Sequence, residues 1–343
     1  MLRHIAFIAI VTVLSALSCK KGGNTGNTDV APTNLTVNAV VSTDNSGNVA
    51  FTATATSAVT YEFGYGNGIF ELVPSGKVTY KYPATGTYTV NVIAKSATGK
   101  TISKSIQVTV TVGLSLIFSD EFNTPGAPDA TKWGYDIGNG SNGWGNEEKQ
   151  YYTNRTDNAV VQNGVLRIVL KKENFSGFNY TSARLLTANK FSFKYGIVEA
   201  RAKLPAGGGT WPAIWSLGAN IGSVGWPACG EIDIMEHKGN DLNRIFGTLH
   251  YPGRSGGSAD GSSRIISNAT TEFHIYKVEW TAAAIKIYVD DVLYHTVANS
   301  NAIPFNHNFF LIMNVAMGGT FGGAIDPNFT EAAMEVDYIR VYQ

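Results

Sequence analysis

Gly230-Glu231-Ile232-Asp233-Ile234-Met235-Glu236-His237 places three carboxylates within six residues, spaced by large apolar side chains. Side chains alternate faces along a β-strand, so a strand that hides Ile232 and Ile234 presents Glu231 and Asp233 on the other face. Glu236 falls one residue out of phase. A regular strand would turn it into the core with the isoleucines. One extra residue near Ile234–Met235, a β-bulge, returns it to the Glu231 face. The expectation is two glutamates and one aspartate in a row in one groove, with no basic residue among them.

Such a row suits sugar hydrolysis with retention of configuration. One carboxylate attacks the anomeric carbon, and another, about 5–5.5 Å away, protonates the leaving oxygen. Close like charges push the pKa values apart, so one group stays protonated near neutral pH. The competing reading is a solvated acidic strand. It fits less well, because Trp211, Trp215 and Trp226 crowd the same part of the sequence. Sugar rings stack their C–H faces on aromatic rings, so Trp211 and Trp215 are read as cleft subsites. Trp226 stands open between cleft and core, and Trp280 is assigned to the core.

Glu231-Ile-Asp-Ile-Met-Glu236 resembles the catalytic signature of glycoside hydrolase family 16, in the six-residue form of its laminarinase-like members. The resemblance runs on through Trp211-Pro-Ala-Ile-Trp215, Trp226-Pro-Ala-Cys-Gly-Glu231, Gly247-Thr-Leu-His-Tyr-Pro252 and Val336-Asp-Tyr-Ile-Arg-Val-Tyr342, over roughly residues 115–343. It implies a β-jelly roll with an open cleft, Glu231 as nucleophile, Glu236 as acid/base, and Asp233 hydrogen-bonded to the nucleophile. It also implies a cleft-lining loop, Gly143–Tyr152, with Trp144 and Asn146 toward the sugar. His250 would be a cleft histidine near Glu236. Arg184, in Thr181-Ser-Ala-Arg184, is left between a glycan contact and a structural salt bridge; Ala183 stands where the family usually has Gly. A structural calcium ion would be held by Glu121, the Gly164 carbonyl and Asp337, which are oxygen ligands of the kind calcium prefers. No organic cofactor is implied.

Composition agrees with an all-β chain. The 343 residues carry 26 basic and 26 acidic side chains, so no electrostatic case exists for nucleic acid. The 37 glycines and many short apolar runs separated by Gly, Asn and Ser read as strands and turns. There are 2 cysteines, Cys19 and Cys229. No histidine pair has metal-ligand spacing, and no Cys–His nucleophile arrangement appears.

Arg3 and His4 precede an apolar run, Ile5–Leu17, too short to span a bilayer and laid out as a signal peptide. Ser15-Ala-Leu-Ser-Cys19 resembles a lipoprotein processing site with Cys19 as the lipidated residue. The expected organisation is a signal peptide over 1–18, a flexible tether over 19–34, a β-domain over 35–112 and the catalytic domain over 113–343. Lipidation at Cys19 would anchor the chain to a bacterial membrane, on the outer face or in the periplasm. Tyr61-Glu-Phe-Gly-Tyr-Gly-Asn-Gly68 and Tyr80–Val90 resemble a PKD-type immunoglobulin-like domain. It is read as a spacer, or alternatively as a glycan-binding module using Tyr61, Tyr65 or Phe70.

The sequence therefore predicts a monomeric, lipid-anchored endo-glucanase that cleaves internal β-1,3 bonds of laminarin-type glucans. Mixed-linkage β-1,3-1,4-glucan, another family 16 polysaccharide or a transglycosylase reaction are the nearest alternatives. A non-catalytic surface glycan-binding lipoprotein is the alternative from another class; it would be expected to lose a catalytic glutamate, and both are present.

Overall fold

A computed structural model describes residues 30–343. The predicted signal peptide, Cys19 and most of the predicted tether lie outside the described residues. The chain divides between Gly113 and Leu114.

The N-terminal unit is a β-sandwich. One sheet holds Thr33–Val41, Asn48–Thr56 and Lys77–Lys81; the other orders Phe70–Val73, Thr60–Gly64, Gly86–Lys95 and Thr101–Val110. Period-two apolar residues fill the space between them, including Val49, Phe51, Phe63, Val90 and Val92. Tyr65 stacks on Tyr80 at 3.7 Å between ring centroids, and Tyr82 Oη donates to the Tyr65 carbonyl at 3.0 Å. Burial corrects one expectation. Tyr61 and Tyr65 are packed into the core, so neither ring is open to a sugar, whereas Phe70 is 70% exposed.

The C-terminal unit is a larger sandwich of a ten-stranded and a seven-stranded sheet. The ten-stranded sheet has Glu331–Tyr342 near its middle, between Val165–Phe175 and Gly196–Lys203. The seven-stranded sheet runs Asp260–Ile265, Arg244–His250, Glu231–His237, Thr210–Gly218, Phe309–Met317, Arg184–Leu186, Gly134–Asp136. The helices here are short, the two α-helices covering only Ile221–Val224 and Gly319–Gly322. All nine residues of Phe309–Met317 are buried, as befits a strand near the sheet centre. Ile214, Ile232, Ile234, Met313 and Val315 from this sheet meet Val198, Tyr276, Val278 and Ile287 from the other. That shared core fixes the outer face of the seven-stranded sheet as a stiff floor.

Candidate active site

The register locates the bulge. Against Thr210–Gly218, Trp215 pairs with Asp233 and Ile214 with Met235, which leaves Ile234 without a partner. Against Arg244–His250, Asp233 pairs with Thr248 and Glu236 with Phe246, so Gly247 faces two residues. Ile234 and Met235 are both fully buried, and Glu231, Asp233 and Glu236 all emerge on the cleft face. The bulge is where the apolar spacing places it.

These carboxylates lie in a cleft of about 1080 Å³. Trp211 Nε1 donates to Glu236 Oε1 at 2.9 Å. Burial, reinforced by the neighbouring carboxylate charges, pushes Glu231 up to about 8; His250 and Arg184 pull it back. Burial pushes Asp233 up to about 8, and Glu236 likewise, with the Asp233 charge added and the Trp211 bond opposing. Groups this close titrate as one unit, and the trio holds protons at neutral pH. Arg184 acts on Glu231 and not on Glu236, and favours charge on Glu231.

Two expectations need correction. Asp233 makes no hydrogen bond to Glu231; its Oδ2 has no hydrogen-bond partner. The nearest ring nitrogen is His250 Nε2, at 3.2 Å, without a hydrogen bond to it. His250 is not beside Glu236 either. The antiparallel register sets it opposite Glu231, with Nε2 3.8 Å from Glu231 Oε1. Its Nδ1 accepts the Gly256 N–H at 3.1 Å, which places the ring proton on Nε2, toward the carboxylates. Glu231, Asp233 and His250 bring ligand atoms within 4.8 Å of one another, a grouping their sequence spacing conceals.

The three tryptophans all line the cleft. Trp215 Nε1 donates to Asn314 Oδ1 at 2.8 Å, and Trp226, 49% exposed, lies 5.7 Å from the His250 ring. Trp144 and Asn146 also line it. Their loop turns through left-handed backbone at Asn142, Gly143, Trp144, Gly145 and Glu147. Gly143 has no alternative, since a Cβ there would meet the Glu148 nitrogen at 2.3 Å. Arg184 is both cleft wall and ion pair. Its guanidinium is 4.6 Å from the Trp144 ring and 4.8 Å from the Trp215 ring, with Nε 3.0 Å from Asp136 Oδ2.

Sequence reasoning missed Thr248, Asn314, Phe246 and Phe321, which line the cleft as well, and included Glu148 only as part of its loop. Glu148 lay in the quoted loop, between two amides, and that was its signal. Phe321 stands alone in Gly318–Gly323. Cys229 is a fully buried free thiol, raised to about 11 by burial and the Glu231 charge, and packs as an apolar residue.

The calcium ligands are not free. Arg340 holds Glu121 through Nε at 2.9 Å and Nη2 at 2.7 Å, and Arg201 Nη1 is 2.6 Å from Asp337 Oδ2. Two arginines already balance both carboxylates, so these side chains do not fit a calcium ion as arranged.

Residues 146–340, more than half of the chain, match glycosyl hydrolases family 16. The chain belongs to that family. Residues 34–112 match the PKD domain. The family 16 unit is 46% identical over 244 residues to a β-glucanase of Rhodothermus marinus, covering 66% of this chain and 85% of that protein. It is 40% identical over 260 residues to glucan endo-1,3-β-glucosidase A1 of Niallia circulans, covering 67% and 38%. Among solved structures, the laminarinase of Rhodothermus marinus superposes with a TM-score of 0.65 at 46% identity, over 67% of this chain and 98% of that one. The family 16 unit is accordingly a glycoside hydrolase with a jelly-roll fold.

Proposed function

We propose that the family 16 unit is an endo-acting β-1,3-glucanase of the laminarinase type, working with retention of configuration. The observation that carries this is the bulged strand: it sets Glu231, Asp233 and Glu236 on one face of an open, tryptophan-lined cleft. In the first step a Glu231 oxygen bonds to C1 of the sugar. The C1–O bond to the departing sugar breaks, and the Glu236 proton goes to that oxygen. In the second step Glu236 takes a proton from water, whose oxygen attacks C1 and releases Glu231. Burial keeps Glu236 protonated for the first step, while Arg184 favours charge on Glu231. The aromatic walls at Trp211, Trp215 and Trp226 supply stacking surfaces for sugars on both sides of the cut.

Similarity to proteins named glucan endo-1,3-β-glucosidase and laminarinase supports the linkage. Mixed-linkage β-1,3-1,4-glucan is the second substrate to examine, because the cleft wall at Gly256, Gly257, Ala259 and Gly261 has no bulky side chain to enforce one linkage. Lipid anchoring at Cys19 belongs to the same proposal and rests on the sequence around it. Metabolic labelling with a fatty acid, lost in Cys19→Ala, tests that part. The activity is tested by incubating the soluble chain, starting after Cys19, with laminarin, mixed-linkage glucan and agarose. A ladder of short oligomers from laminarin supports the proposal; no release from laminarin overturns it.

A further inference from the structure

Glu148 is 93% buried by relative area and lines the cleft. Gln150 Nε2 donates to Oε2 at 2.6 Å and Tyr152 Oη at 3.1 Å. Asn146 Nδ2 reaches Oε1 at a long 3.3 Å, so Oε1 keeps room for another donor. The group is tied to the sugar-stacking wall: Tyr152 Oη accepts from Asn314 Nδ2 at 3.1 Å, and Asn314 holds Trp215. Glu148 bridges to Gly318, just beyond Phe309–Met317, and Thr210–Gly218 separates that strand from the catalytic one. Three strand spacings, about 14 Å, therefore divide its backbone from that of the catalytic row. A glycan seated on that row would bring another of its sugars, not the one attacked, to this wall. The nearby cation, Arg184, is already matched by Asp136. Among the described residues, no other Lys or Arg lines the cleft.

We infer that Glu148 determines specificity: its pinned carboxylate accepts a hydroxyl of an uncharged sugar other than the one attacked and turns away glycans bearing sulfate or carboxylate there. This rests on the β-1,3-glucanase reading. An unpaired anion brought against a fixed, dehydrated carboxylate meets a repulsion that water does not screen well. A merely structural carboxylate would, when replaced, lower stability and hurt all substrates equally.

The experiment compares kcat and KM of the full chain on laminarin and on lightly sulfated laminarin, for wild type, Glu148→Gln and Glu148→Asp. The ratio of kcat/KM, sulfated over neutral, is expected to rise on the order of tenfold in Glu148→Gln, mostly through KM, and to stay low in Glu148→Asp, which keeps the charge. In wild type the discrimination should weaken with added salt. An active Glu148→Gln with an unchanged ratio overturns the inference alone. If that variant does not fold, discrimination by wild type that ignores salt overturns it. Laminarin left intact by wild type overturns the glucanase reading, and this inference with it.

Discussion

Trp211 and Glu236 are joined by an indole N–H donated at 2.9 Å, across the two neighbouring strands that carry them. The bond stabilises the ionised glutamate and opposes the effects that keep it protonated. Trp211→Phe keeps an aromatic ring and removes the donor. Glu236 should then hold its proton to higher pH. The alkaline limb of the kcat/KM profile is expected to move upward, by about half to one unit. A profile that stays in place while KM alone rises would reduce Trp211 to a stacking surface.

Glu231→Gln and Glu236→Gln should each lower hydrolysis of laminarin by a factor of about 10³ or more. They should part on a substrate whose leaving group needs no proton. On an aryl laminaribioside with an acidic phenol, Glu236→Gln should keep rapid release of the first equivalent of phenol, while Glu231→Gln stays inert. The reverse pattern would exchange the two roles.

Each carboxylate of the trio has a folded pKa pushed up to about 8 by burial, against roughly 4 when unfolded. The native state thus binds more protons between those values. The stability this contributes is complete below about pH 4 and is lost as pH rises through about 8. Asp233→Asn removes that loss. The unfolding free energy of Asp233→Asn minus that of wild type, read from denaturant melts, should therefore grow from pH 5 to about pH 8, at roughly 1 kcal/mol per pH unit for one proton's difference. A difference flat with pH would show that Asp233 is not held protonated.

Gly230 precedes the nucleophile with φ of +74°, and a Cβ there would lie 2.8 Å from the Pro304 carbonyl oxygen and 3.0 Å from Phe309 Cζ. Gly230→Ala should cost about 1–3 kcal/mol of stability and displace Glu231, lowering kcat more than it raises KM. Gly222→Ala, with nothing within 4 Å, serves as the control. Equal melting temperatures for the two would remove the argument.

Much of the site was legible because one strand writes most of it. The spacing of Glu231, Asp233 and Glu236 against Ile232, Ile234 and Met235 fixes the face, the bulge and the core together. The tryptophans were legible as aromatic residues close in sequence to a row of carboxylates. What escaped reading came from elements brought together only by sheet order. Asn314 sits in Phe309–Met317, an apolar run that reads as pure core, and reaches the cleft because Thr210–Gly218 lies beside it. The place of His250 depends on the register between Glu231–His237 and Arg244–His250, which sets it opposite Glu231. Burial of Tyr61 and Tyr65 was likewise invisible, since an aromatic residue in a turn-rich stretch reads equally well as exposed.

The unpaired Ile234 has a genetic consequence. Removing that one residue in frame would leave Glu231, Ile232, Asp233, Met235 and Glu236 in strict alternation, with all three carboxylates still on the cleft side. Two lengths of the same strand can thus present the same chemical face, one codon apart. A strand shortened this way would change how far apart its acid and its nucleophile stand, and not which way they point.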